Sequence, residues 1–177
     1  MSRVNQELVK IYFEMNGFLV KRDEQFLILN LKPQPPETSP NFLLGSRDLT
    51  ALERATVEVK GWHTDKFFPS RLRNSPEIFS FVQPEALKIT GKFFGGNKFR
   101  KILIVSHLPA KGEMRRKSIK LLQGKGIDHV LEFDSILRYL VHKVRPNRNY
   151  INSDILQLLR LLKCYHLLKE PQLELFR

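Results

Sequence analysis

The sequence is short of three things: cysteine, carboxylates and long apolar runs. A single cysteine, Cys164, excludes an internal disulfide framework and any zinc site built from several thiolates. Within its leucine-rich helical stretch it reads as a small buried apolar residue rather than a nucleophile. No run is long enough to span a bilayer, and Met1-Ser2-Arg3-Val4-Asn5-Gln6-Glu7 has no apolar signal core, so a reducing, cytoplasmic location is expected. The 5 histidines lie far apart with no pair at zinc spacing, and no serine elbow is present, which argues against zinc and triad chemistry. There is no Gly-x-x-x-x-Gly-Lys-Ser/Thr loop to indicate ATP-driven work, and no internal repeat.

The shortage of carboxylates leaves a strong imbalance. Against 18 Asp and Glu stand 30 Lys and Arg, a net charge of +12 with a pI near 10.0. Such a field favours polyanions, of which nucleic acid is the commonest large one in a cell. A membrane surface is the competing partner, but no basic amphipathic segment or lipidation signal supports it. At 177 residues, 42% hydrophobic and 27% charged, the chain has room for a real core and is not generally disordered.

Ser2 or Asn5 caps a predicted helix to about Asn16, stopped by Gly17, with Val4, Leu8, Ile11, Tyr12 and Met15 as its inner stripe and Glu7 on the rim. Phe18-Leu19-Val20 and Phe26 to Leu31 read as strands around a charged turn, and the proline-rich stretch 32–45 as a loop. Ser75-Pro76-Glu77 and Gln83-Pro84-Glu85 are helix starts, giving two helices or one broken helix before Gly95-Gly96. The run Ile102-Leu103-Ile104-Val105 suits a strand buried on both faces. A basic helix from Lys111 to Gln123 and a short strand His129–Phe133 complete a parallel crossover unit, after which Asp134 or Ser135 caps a helix to about Lys143. Ser153-Asp154 opens a last helix through Lys169 that is apolar around most of its circumference, either sandwiched in the core or half of a dimer contact. The expected organisation is an α/β domain over residues 1–150, a C-terminal helix over 151–170 and a tail, 171–177.

The chemistry concentrates in the run 46–62, which reads as two extended segments around a polar turn at Glu53-Arg54. In a strand, Val57 and Val59 share one face and Thr56, Glu58 and Lys60 the other. If the preceding segment pairs with this one, Asp48 comes near Glu58. Two carboxylates and a lysine at a sheet edge then form a divalent-cation site facing an anionic substrate. The plainer reading is a solvated strand face, where Glu-x-Lys is common.

Asp48 followed by Glu58-Val59-Lys60, with Glu7 in the first helix, resembles the PD-(D/E)xK nuclease superfamily, and the opening from Glu7 to Gly17-Phe18 is similar to Holliday-junction resolvases. Arg47 stands where the family pattern has proline. The resemblance implies a restriction-endonuclease-like mixed sheet flanked by helices, with an added C-terminal helix. It implies a metal-dependent DNA endonuclease, acting on structured or repair DNA, in which Asp48, Glu58 and the carbonyl of Val59 hold Mg²⁺ or Mn²⁺. Glu7 would ligate a second metal or order its water shell, and Lys60 would position or deprotonate the attacking water. Gln83 would touch the site or the nucleic acid, or serve only as a helix cap.

Lys98, Arg100, Lys101, Arg115, Arg116, Lys117 and Lys120, flanking the buried strand, form the candidate DNA-contacting surface, or else a solvated basic face. The tail residues Gln172, Leu173, Leu175 and Phe176 are similar to the pentapeptide that docks bacterial proteins on the sliding clamp; the same residues could instead cover the chain's own core. Two rivals to the enzyme stand beside it: a non-catalytic DNA-binding protein of the same fold, and an interaction protein that dimerises through its last helix.

Overall fold

This computed structural model describes residues 2–22, 26–31, 53–63, 66–110 and 112–168. The expectations for Asp48 and its strand, and for the tail residues Gln172, Leu173, Leu175 and Phe176, lie outside them.

Helix α1 (Arg3–Met15) ends at Asn16, and Gly17 follows at φ 88, a left-handed conformation that costs glycine little. Its buried residues are Asn5, Leu8, Val9, Ile11, Tyr12 and Phe13. Val4 and Met15, expected inside, are exposed. Aromatic packing sets this rotation: the Phe13 ring meets Phe18 edge-on at 5.7 Å, and Tyr12 meets Tyr139 at 5.0 Å. Ser2 is the N-cap residue but makes no side-chain cap bond, while Asn5 turns inward.

Five strands form one sheet in sequence order: β1 (Phe18–Arg22), β2 (Leu27–Leu31), β3 (Arg54–Lys60), β4 (Arg100–Val105) and β5 (His129–Glu132). The β1–β2 and β2–β3 pairings are antiparallel, and β3–β4 and β4–β5 are parallel. The strand flanking β3 on its antiparallel side is β2, with Leu27 opposite Val57 and Asn30 opposite Arg54.

Strand alternation builds two cores. Val57, Val59, Ile102 and Ile104 join α1, α5 (Phe133–Lys143) and α6 (Asp154–Cys164) on one face. Leu103 and Val105 join the other, beneath α2 (Pro69–Arg73), a 3₁₀ helix (Pro76–Val82), α3 (Pro84–Phe94) and α4 (Glu113–Gly124). The run Ile102–Val105 is therefore buried on both sides, as a central parallel strand requires. Pro76 and Pro84 each open a helix as expected, but the first is 3₁₀ and a further short helix, α2, precedes it.

Helix α5 begins directly after β5, with Glu132 rather than Asp134 or Ser135 at its N-cap. Asp134 instead accepts from Arg138 at 2.8 Å, one turn on. In α6 the Ser153 hydroxyl accepts from Leu156 N–H at 3.3 Å, and the helix stops at Cys164, short of the expected Lys169, with His166 left-handed at φ 55. Leu156 enters the core with Ile155 and Leu159 beside it, so this helix packs on the domain. Cys164 faces outward, contrary to expectation, because Leu156 and Lys163 take the buried side. Among the described residues, no helix is long and apolar enough to cross a membrane.

Candidate active site at the carboxyl end of the parallel strands

Thr56, Glu58 and Lys60 form a row on β3 that runs from the middle of the sheet to its edge, on the face of Leu103 and Val105. The plain expectation of a solvated strand face fails for this row. Glu58 is 2% exposed and Lys60 14%. The Lys60 Nζ lies 2.9 Å from Glu58 Oε1, a charge-assisted contact between two side chains two residues apart on one strand. Burial pushes the Glu58 carboxyl above the usual carboxylate range, and the hydrogen bond and charge of Lys60 pull it partly back.

The ion pair leaves one oxygen unused. Glu58 Oε2 is buried and has no hydrogen-bond partner among the described residues, and Thr56 Oγ1, one step deeper in the row, is in the same condition. A buried carboxylate oxygen without a partner is costly unless it takes a proton or a cation. The donors available are hard oxygens, the chemistry that Mg²⁺ and Mn²⁺ select.

Gly61 and Trp62 follow the end of β3. A side chain at Gly61 would run into the Asn5 amide of α1, so a larger residue there would require Asn5 to move. The Asn5 Oδ1 lies 3.2 Å from His63 Nε2, and the His63 ring stands edge-on to Phe133 at 4.9 Å. Trp62 stacks on Phe67 at 5.4 Å with the Arg71 guanidinium 5.0 Å from its ring centre, and its carbonyl accepts from Ser106 Oγ at 2.7 Å.

Across the same edge, register aligns Lys60 with Val105 and Val105 with Glu132. Glu132 accepts from Arg115 at 2.6 Å and from Leu108 N–H at 3.1 Å. With Lys66, His107 and Ala110 these groups line a shallow cleft of about 530 Å³. Glu132, Asn5 and His63 did not stand out in the sequence. Only the registered end of β5 would have pointed to Glu132.

Glu7 is held elsewhere. It bonds Lys10 at 3.1 Å and Arg22 at 2.9 Å, beside β1, while α1 packs on the valine face of β3, opposite Glu58. Among the described residues, no three His, Cys, Asp or Glu gather to hold a metal. Gln83 is exposed and acts as the backbone cap of α3.

The expected basic surface divides. Arg115, Arg116, Lys117 and Lys120 belong to α4, where Lys117 is paired with Glu113 at 2.8 Å. Lys98, Arg100 and Lys101 sit at the amino end of β4. Parallel register puts them at the opposite edge from Lys60, about 13 Å away along the strand from Lys101 to Val105. Lys101 is neutralised by Asp128 at 3.0 Å, with Arg100 at 3.9 Å from the same carboxylate. Comparison with known protein families, curated proteins and solved structures gives no match.

Proposed function

We propose that the protein is a metal-dependent nuclease that hydrolyses phosphodiester bonds in DNA, with its reaction centre at the carboxyl end of β3. The observation that carries this reading is the unsatisfied Glu58 Oε2 beside the Glu58–Lys60 ion pair. Glu58 and the Val59 carbonyl would hold Mg²⁺ or Mn²⁺, with Asp48 as the second carboxylate. Glu7, engaged with Arg22 and Lys10, is given no direct ligand role. When bound, such an ion neutralises charge on the phosphate and lowers the pKa of bound water. Lys60 then has two tasks: it fixes the Glu58 carboxylate, and it presents an ammonium to the scissile phosphate and the attacking water. The order of strands and helices, and the excess of cations, support the restriction-endonuclease-like fold and a polyanionic substrate. The tail Gln172 to Phe176 supports sliding-clamp docking on sequence alone.

A second reading has its own observation. At 2% and 14% exposure the pair is closed to a substrate, which favours a DNA-binding protein of this fold without catalysis. Titration of plasmid, branched and single-stranded DNA with Mg²⁺ or Mn²⁺ separates the two. The nuclease reading expects metal-dependent cleavage that Glu58→Gln and Lys60→Ala reduce by orders of magnitude. No cleavage of any substrate, with wild type and Lys60→Ala alike, would favour the binding protein instead.

A further inference from the structure

The far edge of the sheet carries a different chemistry. There, at the amino ends of β3 and β4 and the carboxyl end of α3, three phenylalanines lie in series. The Phe93 ring meets Phe94 at 5.3 Å, and Phe94 meets Phe99 at 5.5 Å. Phe93 is 44% exposed, so its ring is open to solvent beside the other two. Cations stand against one face of two of these rings. Lys21 Nζ stands 4.8 Å from the centre of Phe93, and the Arg54 guanidinium 5.9 Å from Phe94 while donating to the Phe94 carbonyl at 3.2 Å. Two clefts, of about 390 and 340 Å³, meet along Asn97 and Phe99; Lys88 and Lys101 line the first, and Arg54, Lys98 and Arg100, with one carboxylate, Glu53, the second. Lys88 and Lys98 are exposed and make no ion pair among the described residues.

We infer that this edge is a binding platform for single-stranded nucleic acid, separate from the reaction centre. Rings give unstacked bases a flat apolar face, and the flanking ammonium and guanidinium groups follow the phosphates. A paired duplex keeps its bases stacked inside and cannot use Phe93, so the combination of exposed ring and cation selects for a single strand. DNA and RNA share this chemistry, and the test includes both. The inference stands without the nuclease reading, because it concerns binding at the opposite end of β3 and β4.

The experiment is fluorescence anisotropy on the full chain in EDTA, so that no cleavage contributes, with labelled 15-mer deoxythymidine, 15-mer uridine and a 15-base-pair duplex. Either single strand should bind more tightly than the duplex. Phe93→Ala should weaken the single strand by about tenfold, the size of one base–aromatic stack, and leave duplex binding unchanged. Lys98→Ala should flatten the salt dependence by about 0.7 in log K per log salt, the single-strand value for one phosphate contact. Both are surface substitutions, and a melting curve for each confirms folding. Equal binding of single strand and duplex, or wild-type single-strand affinity in Phe93→Ala, overturns the platform whether or not the protein cleaves DNA.

Discussion

At the carboxyl end of β3 an ammonium and a carboxylate are held 2.9 Å apart and almost out of water. At the amino end of the same strand Arg54 lies in solvent above a phenylalanine ring. Seven residues of one strand thus span two electrostatic regimes. Where water is excluded, attraction is strong, each charge needs a partner, and an unsatisfied oxygen matters. Where water enters, each cation contributes little and salt screens it, but many can act together on a long polyanion. The first arrangement suits one small ion and a defined reaction; the second suits the holding of a chain.

That contrast can be broken in four places. The largest effect is expected in catalysis: Lys60→Ala should lower metal-dependent cleavage by about 10²–10⁴-fold, measured in single turnover. Lys98→Ala at the other end should act instead through KM and the salt slope. Next, Lys60→Met should cost about 3–5 kcal/mol at pH 7 in urea unfolding, because Glu58 is left buried without a counter-charge. The pH dependence fixes its sign. Burial raises the folded-state pKa of Glu58 above its unfolded value, so the native state binds the extra proton between the two. Stability contributed by that proton is fully present below the unfolded pKa and is lost as pH rises through the folded pKa. The Lys60→Met deficit should therefore shrink on acidification, and a deficit independent of pH would show that Glu58 is not the cause.

Third, the two ends differ in how closely the chain is packed. Gly61→Ala drives a methyl group into the Asn5 amide and should cost about 1–3 kcal/mol. Gly96→Ala, with open space around it, should stay within about 0.5 kcal/mol. The smallest effect belongs to Arg54→Met, which removes an exposed cation–ring contact and should cost about 0.5–1 kcal/mol in thermal unfolding.

Much of this architecture could be read in the residues. Gly17, Pro76 and Pro84 marked helix ends because their backbone chemistry is local, and the apolar run of β4 announced a strand buried on both sides. The partition of β3 into a valine face and a Glu58–Lys60 face also followed from strand alternation alone. What lay outside that reading was set by distant partners. Val4 and Met15 fit the helical period, but Tyr139 and Phe18 decide which way α1 turns. The burial of Glu58 depends on layers stacked over β3 by the later helices. The separation of Lys98, Arg100 and Lys101 from Lys60 depends on parallel register, which no local pattern records.

The contact between α1 and α5 has a consequence for biosynthesis. The Tyr139 hydroxyl donates to Asn16 Oδ1 at 3.2 Å across 123 residues of chain, and Tyr12 packs on the Tyr139 ring. On a ribosome adding ~5–20 residues per second, the first helix waits about 6–25 s for the partner that completes its seat. Through that interval its aromatic side has no finished cover, and a nascent chain of this kind is a natural client for whatever shields apolar surface near the exit tunnel.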